Sequence, residues 1–202
     1  HRIQTFVYIN SAKINQHFML GTFAEGLSLV PYIEEKLEEY NLYLDTHRIL
    51  VFNYKIASLY FGSGDYNTCI DYLQKIINDN VDFRGDLQCY SRLMHLLAHY
   101  ELGNAELIDS LTKSVYRFMD KMQNLTIVEE EMFKFLRNSF NVHRSKLKPE
   151  LEKFLHKIKQ LETNRFQTRS FAYLDIISWV ESKVYQKPMA QIIREKYLAV
   201  KK

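Results

Sequence analysis

The sequence predicts an all-α fold, on three observations. Apolar residues recur at helical spacing along almost the whole chain, no alternating pattern of period two persists, and only 3 Pro and 6 Gly interrupt 202 residues. A fold of short strands and tight turns needs more punctuation than that. With Gly, Pro and Asn/Asp clusters read as boundaries, about ten helices emerge, near 2–19, 22–41, 46–61, 65–79, 84–102, 104–123, 126–144, 148–162, 168–185 and 188–200. A chain of this length can bury a sizeable core as one domain or as one array of stacked units.

The first helix closes at Gly21. The second carries Leu27, Val30, Ile33 and Leu37 at helical period but also Pro31, whose ring clashes with the carbonyl four residues back, so the reading predicts a kink or split near Val30. In the third helix Ile56, Ala57 and Tyr60 share a face. The Gly62-Ser63-Gly64-Asp65 turn breaks it, and Tyr66, Cys69, Ile70, Leu73, Ile76 and Ile77 continue on the fourth. Leu102-Gly103-Asn104-Ala105 separates the fifth and sixth.

The C-terminal third departs from this turn pattern. Glu129-Glu130-Glu131 suits the positive end of a helix dipole and precedes the broad apolar face of Met132, Phe133, Phe135, Leu136 and Phe140. Leu151, Phe154, Leu155, Ile158 and Leu161 give an amphipathic helix. Phe171, Leu174, Ile177, Trp179 and Val180 give another, which makes the sole tryptophan a core or helix-junction anchor. Pro149 and Pro188 each sit where a helix is expected to begin, since proline costs nothing in a first turn.

Residues 53–81, NYKIASLYFGSGDYNTCIDYLQKIINDNV, have the spacing of a two-helix unit made to stack on copies of itself. Small residues at Ala57 and Cys69 allow close approach of the two backbones. With an aromatic just after the turn glycine, this stretch resembles a tetratricopeptide repeat. Neighbouring units repeat the turn. Gly21-Thr22-Phe23 parallels Gly64-Asp65-Tyr66, with Gly26 at the place of Cys69, and Gly103-Asn104-Ala105 follows with Ile108 at that place. The turn glycines are 43 and 39 residues apart, against about 34 for the family's period, so helices or connections are longer here. Ile108 is large for its position, and Asn10, Asn53 and Arg92 stand where the family often has an aromatic. The resemblance covers roughly residues 7–122. It implies a right-handed superhelical stack of antiparallel helix pairs, with three pairs in 1–124 and degenerate pairs in 125–202 ending the same stack.

Composition excludes several functions. No uninterrupted apolar run approaches the roughly 20 residues of a membrane helix, which argues against a membrane protein. Net charge is +3 with basic residues scattered among acids, whereas a phosphate-tracking surface needs them clustered, which argues against a nucleic-acid partner. Cys69 and Cys89 lie on apolar faces without metal or paired spacing, as two reduced core thiols would in a cytoplasmic compartment. His95 and His99 are one helical turn apart, the spacing of a zinc pair, but without the glutamate of H-E-x-x-H. Packing or surface histidines are the expectation over metal ligands. No phosphate loop, nucleophile elbow or activated Ser or Cys is legible, so neither an enzyme nor a cofactor is expected. Asn124-Leu125-Thr126 matches a glycosylation acceptor, which carries meaning only in a secreted chain. The chain opens at His1-Arg2 and reads as a fragment.

In tetratricopeptide arrays the first helix of each pair lines a concave surface. The resemblance therefore implies a groove formed by Tyr8, Ser11, Asn15 and Phe18, then Tyr54, Lys55, Ser58 and Phe61, then Tyr90, Leu97 and Tyr100. Family members that clamp a C-terminal carboxylate use Lys, Arg and Asn there, and this chain has only Asn15, Lys55 and Arg92 of that set. The aromatics point instead to an apolar or aromatic-bearing segment, either a partner's helix or peptide or one of the protein's own helices. Core packing explains the same Tyr/Phe stripe. A protein-interaction scaffold is the leading reading. The alternatives are the sensor half of a transcription regulator or other nucleic-acid-associated protein with its second domain upstream, and a self-assembling module that forms homo-oligomers.

Overall fold

A computed structural model of the chain describes residues 1–79, 85–167 and 169–201. Asn80 and Val81, at the end of the 53–81 stretch, and the expected helix starts at Arg84 and Thr168 lie outside the described residues. Every regular element among the described residues is a helix, as the spacing predicts. In chain order they are α1 (Arg2–Leu20), α2 (Phe23–Gly26), a 3₁₀ turn (Leu27–Leu29), α3 (Val30–Glu39), α4 (Thr46–Ser63), α5 (Tyr66–Ile77), α6 (Gly85–Glu101), α7 (Ala105–Lys121), α8 (Ile127–Ser139), α9 (Arg144–Leu161), α10 (Arg169–Tyr173), α11 (Ile176–Tyr185) and α12 (Met189–Val200). They form two compact units, His1–Leu87 with Ala190–Lys202, and Gln88–Met189.

In the first unit α4 and α5 pack on one another across the Gly64–Asp65 turn. Gly64 closes α4 at φ 88°, in the left-handed region that a Cβ disfavours, and the Asp65 carboxylate accepts from the Thr68 amide at 3.1 Å to open α5. Ile56, Ala57, Cys69, Leu73 and Ile76 are fully buried between and beneath these helices. Each large apolar side chain removed from water here contributes about 1.5–3 kcal/mol. Tyr60 and Tyr66, expected in that core, are only half-buried. Their rings still pack, Tyr60 stacked on Tyr72 at 5.6 Å and Tyr66 edge-on to Phe61 at 5.3 Å, while the rest of each residue is partly open.

The segment predicted as one helix over 22–41 divides into α2, the 3₁₀ turn and α3, with Pro31 in the first turn of α3, where its missing donor costs nothing. Phe23 lies flat against Gly62 of α4, so that any Cβ at Gly62 would meet the ring at 2.2 Å.

In the second unit Trp179 is buried, as its apolar neighbours predict, and its indole nitrogen donates to Glu101 at 2.6 Å. Phe135 and Phe154 stack at 4.9 Å with planes 2° apart, joining α8 to α9. Three boundaries differ from the sequence reading. The helix expected over 126–144 ends at Ser139. Pro149 does not begin a helix but lies inside α9, which starts at Arg144 after His143 caps the Ser145 amide at 3.3 Å. The carbonyl deprived of its donor by Pro149 belongs to Ser145, which is exposed and open to water. The helix expected over 168–185 is two, α10 and α11, because Asp175 caps a fresh start by accepting from the Ser178 amide at 3.0 Å.

Candidate functional site

The residues expected to line a groove fall into three groups. On the first unit, α1 carries Asn15 and Phe18 and α4 carries Lys55, and the fold brings these together. The Lys55 ammonium donates to the Asn15 Oδ1 at 2.5 Å and lies 5.9 Å from the centre of the Phe18 ring. Phe18 in turn packs on Phe23 at 6.0 Å. Burial lowers the Lys55 pKa, because a half-buried ammonium loses hydration. Among the described residues no carboxylate pairs with it. On α1, Tyr8 is 74% exposed.

The second group is interior. Tyr54 and Phe61 are buried in the first unit, and in the second unit Tyr90 is buried and stacks on Tyr173 at 4.2 Å. Burial first, and the Glu129 charge second, push the Tyr90 phenol up to about 12. Tyr100 forms the third case: half-buried, it sits among Phe140 at 5.1 Å, Trp179 at 5.8 Å and Phe135 at 6.4 Å. The cause on α4 is legible in hindsight. Leu50, Phe52, Asn53, Tyr54, Ile56, Ala57, Leu59 and Phe61 are buried over more than half of its circumference, and the strip of Val51, Lys55 and Ser58 stays partly open.

His95 and His99 pack edge to face at 4.6 Å. Burial lowers both, His95 to about 4 with the His99 and Arg92 charges adding to the effect, and the His99 Nδ1 pairs with the Asn104 amide at 3.0 Å. Among the described residues no group of three or more His, Cys, Asp and Glu is placed to hold a metal ion. No helix among them is long and apolar enough to cross a membrane.

A second surface escaped the sequence reading. Thr112, Lys113, Tyr116 and Arg117 of α7 and Phe133 and Arg137 of α8 line a cleft of about 190 Å³ in the second unit. Its signal was the pair Lys113 and Arg117, four residues apart around an aromatic, hidden by an overall charge pattern that alternates in sign. No family model matches this chain, and neither a curated protein nor a solved structure matches it.

Proposed function

We propose that this protein is a protein-interaction scaffold that binds a polypeptide segment along α1 and α4, through Tyr8, Asn15, Phe18 and Lys55. The observation that carries the reading is Lys55. An ammonium drawn partly out of water, held over an aromatic ring and hydrogen-bonded only to a neutral amide, is costly to the free protein and favourable to a ligand that brings a carboxylate or a carbonyl dipole. Phe18 and the exposed Tyr8 supply apolar contact on the same helix, the mixture of aromatic anchor and polar fixing group that dominates binding surfaces. The tetratricopeptide-like hairpin of α4 and α5, and the glycine-closed helices α1, α4 and α6, support a further proposal, a right-handed superhelix of antiparallel pairs in which α1 and α4 are first helices.

Site-specific photo-crosslinking tests this. A benzophenone amino acid at Tyr8 is expected to capture a discrete polypeptide that the same group at exposed Gln160 does not, and Lys55→Met is expected to abolish that adduct. An adduct that forms equally at both positions, or that survives Lys55→Met, overturns the reading.

A further inference from the structure

The α7–α8 cleft has a chemistry of its own. Arg117 and Arg137 approach it from different helices, both are exposed, and neither side chain makes an ion pair among the described residues. Lys113 adds a third cation, already paired with Asp109 at 2.6 Å. Between them Tyr116 meets Phe133 edge to face at 6.2 Å, and Tyr116 keeps 41% of its surface in water. At the base lies Thr112, 1% exposed, whose hydroxyl has no hydrogen-bond partner among the described residues. A buried polar atom without a partner is uncommon enough to need a reason.

We propose that this cleft docks an acidic segment of a polypeptide, with a carboxylate between Arg117 and Arg137 and an apolar side chain against Tyr116 and Phe133. Guanidinium groups from two sides match a carboxylate's paired oxygens. The volume decides between a small molecule and a side chain. At about 190 Å³ the cleft falls below the roughly 300–1,000 Å³ of pockets that enclose a whole small molecule, yet it suits one side chain of a segment lying across the surface. A nucleic-acid strand fits less well, because a phosphate track needs a row of cations, whereas these form a single cluster with Asp109 at its edge. The site draws on neither Lys55 nor Asn15 and stands independently of the α1–α4 surface.

Fluorescence polarisation on the full chain tests it, with a labelled peptide in which Glu alternates with Leu and Phe, a counterpart carrying Lys for Glu, and a labelled oligouridylate. The acidic peptide is expected to bind saturably and the Lys peptide not. An Arg117→Ala/Arg137→Ala double substitution, on exposed positions and with an unchanged circular dichroism spectrum, is expected to weaken binding at least about tenfold, since each lost charge-assisted contact contributes a comparable factor. Arg117→Lys is expected to recover part of it. Equal affinity of the double variant, failure of the acidic peptide to bind, or tighter binding of the oligouridylate overturns the proposal. Loss of peptide binding in Lys55→Met with the arginine variant unaffected also overturns it, and leaves the α1–α4 reading intact.

Discussion

Ser170 donates its hydroxyl to the Glu129 carboxylate in the interior of the second unit, where neither residue has any exposed surface. Glu129 works in two directions. One oxygen meets Ser170 and the other accepts the Thr126 amide at 2.9 Å, completing a capping box at the start of α8. The acidic run that the sequence marks as a helix start thus contains a carboxylate that also ties α8 to α10.

Glu129→Ala therefore leaves a helix cap open, a buried hydroxyl unpaired and a void, and is expected to cost about 2–4 kcal/mol. Glu129→Gln keeps the volume and one acceptor and is expected to cost less. Urea denaturation measures both. An unchanged midpoint in the alanine variant would contradict the assignment.

Three glycines close helices in the left-handed region, Gly21 at φ 69°, Gly64 at φ 88° and Gly103 at φ 74°, but their surroundings differ. A Cβ at Gly64 or Gly103 meets nothing, whereas at Gly21 it lies 2.4 Å from the Ala190 carbonyl oxygen of α12. Gly64→Ala and Gly103→Ala are expected to cost the backbone strain alone, about 1–2 kcal/mol each. Gly21→Ala adds a clash with backbone and is expected to cost more, up to loss of α12 docking. Thermal unfolding of the three variants ranks them, and equal losses would refute the close approach.

Stability is expected to fall with acid through His95. Its folded pKa of about 4 lies below the unfolded 6.5, so between these values the unfolded chain binds a proton that the folded chain refuses. The loss begins as pH drops below 6.5 and reaches about 2 kcal/mol at pH 5. Replacement by Gln removes this part of the slope. Denaturation at pH 7 and pH 5 for wild type and His95→Gln checks it, and identical pH dependence would place the loss elsewhere.

Aromatics from one stripe of the sequence are expected to divide by burial. Phe61→Ala empties a packed interior and should cost about 3–5 kcal/mol, while Tyr8→Ala, at the surface, should change stability by no more than about 0.5 kcal/mol. Denaturant titration separates them, and comparable losses would contradict the placement of Tyr8.

Helix content was legible because period and punctuation are local. Gly21, Gly64 and Gly103 mark their helix ends whatever packs around them, and Pro31 splits its segment for steric reasons contained within four residues. The site was legible only in part because a helical stripe records which residues share a face, not what covers it. Asn15, Phe18 and Lys55 meet at a surface, but Tyr54, Phe61 and Tyr90 at equivalent spacing are buried, Tyr90 beneath Tyr173, which is distant in sequence. Pro149 misled for a similar reason: the His143 cap that starts α9 earlier is a side-chain interaction that no periodicity reports.

The affinity of the segment captured at Tyr8, titrated calorimetrically against wild type and Lys55→Met, tests the central claim most directly. Methionine keeps an unbranched apolar stem but removes the half-buried charge and its approach to the Phe18 ring. The account predicts a thermal midpoint equal to or above that of wild type and binding weakened at least about tenfold, the worth of one charge-assisted contact. A folded Lys55→Met protein that binds the segment with wild-type affinity would contradict it.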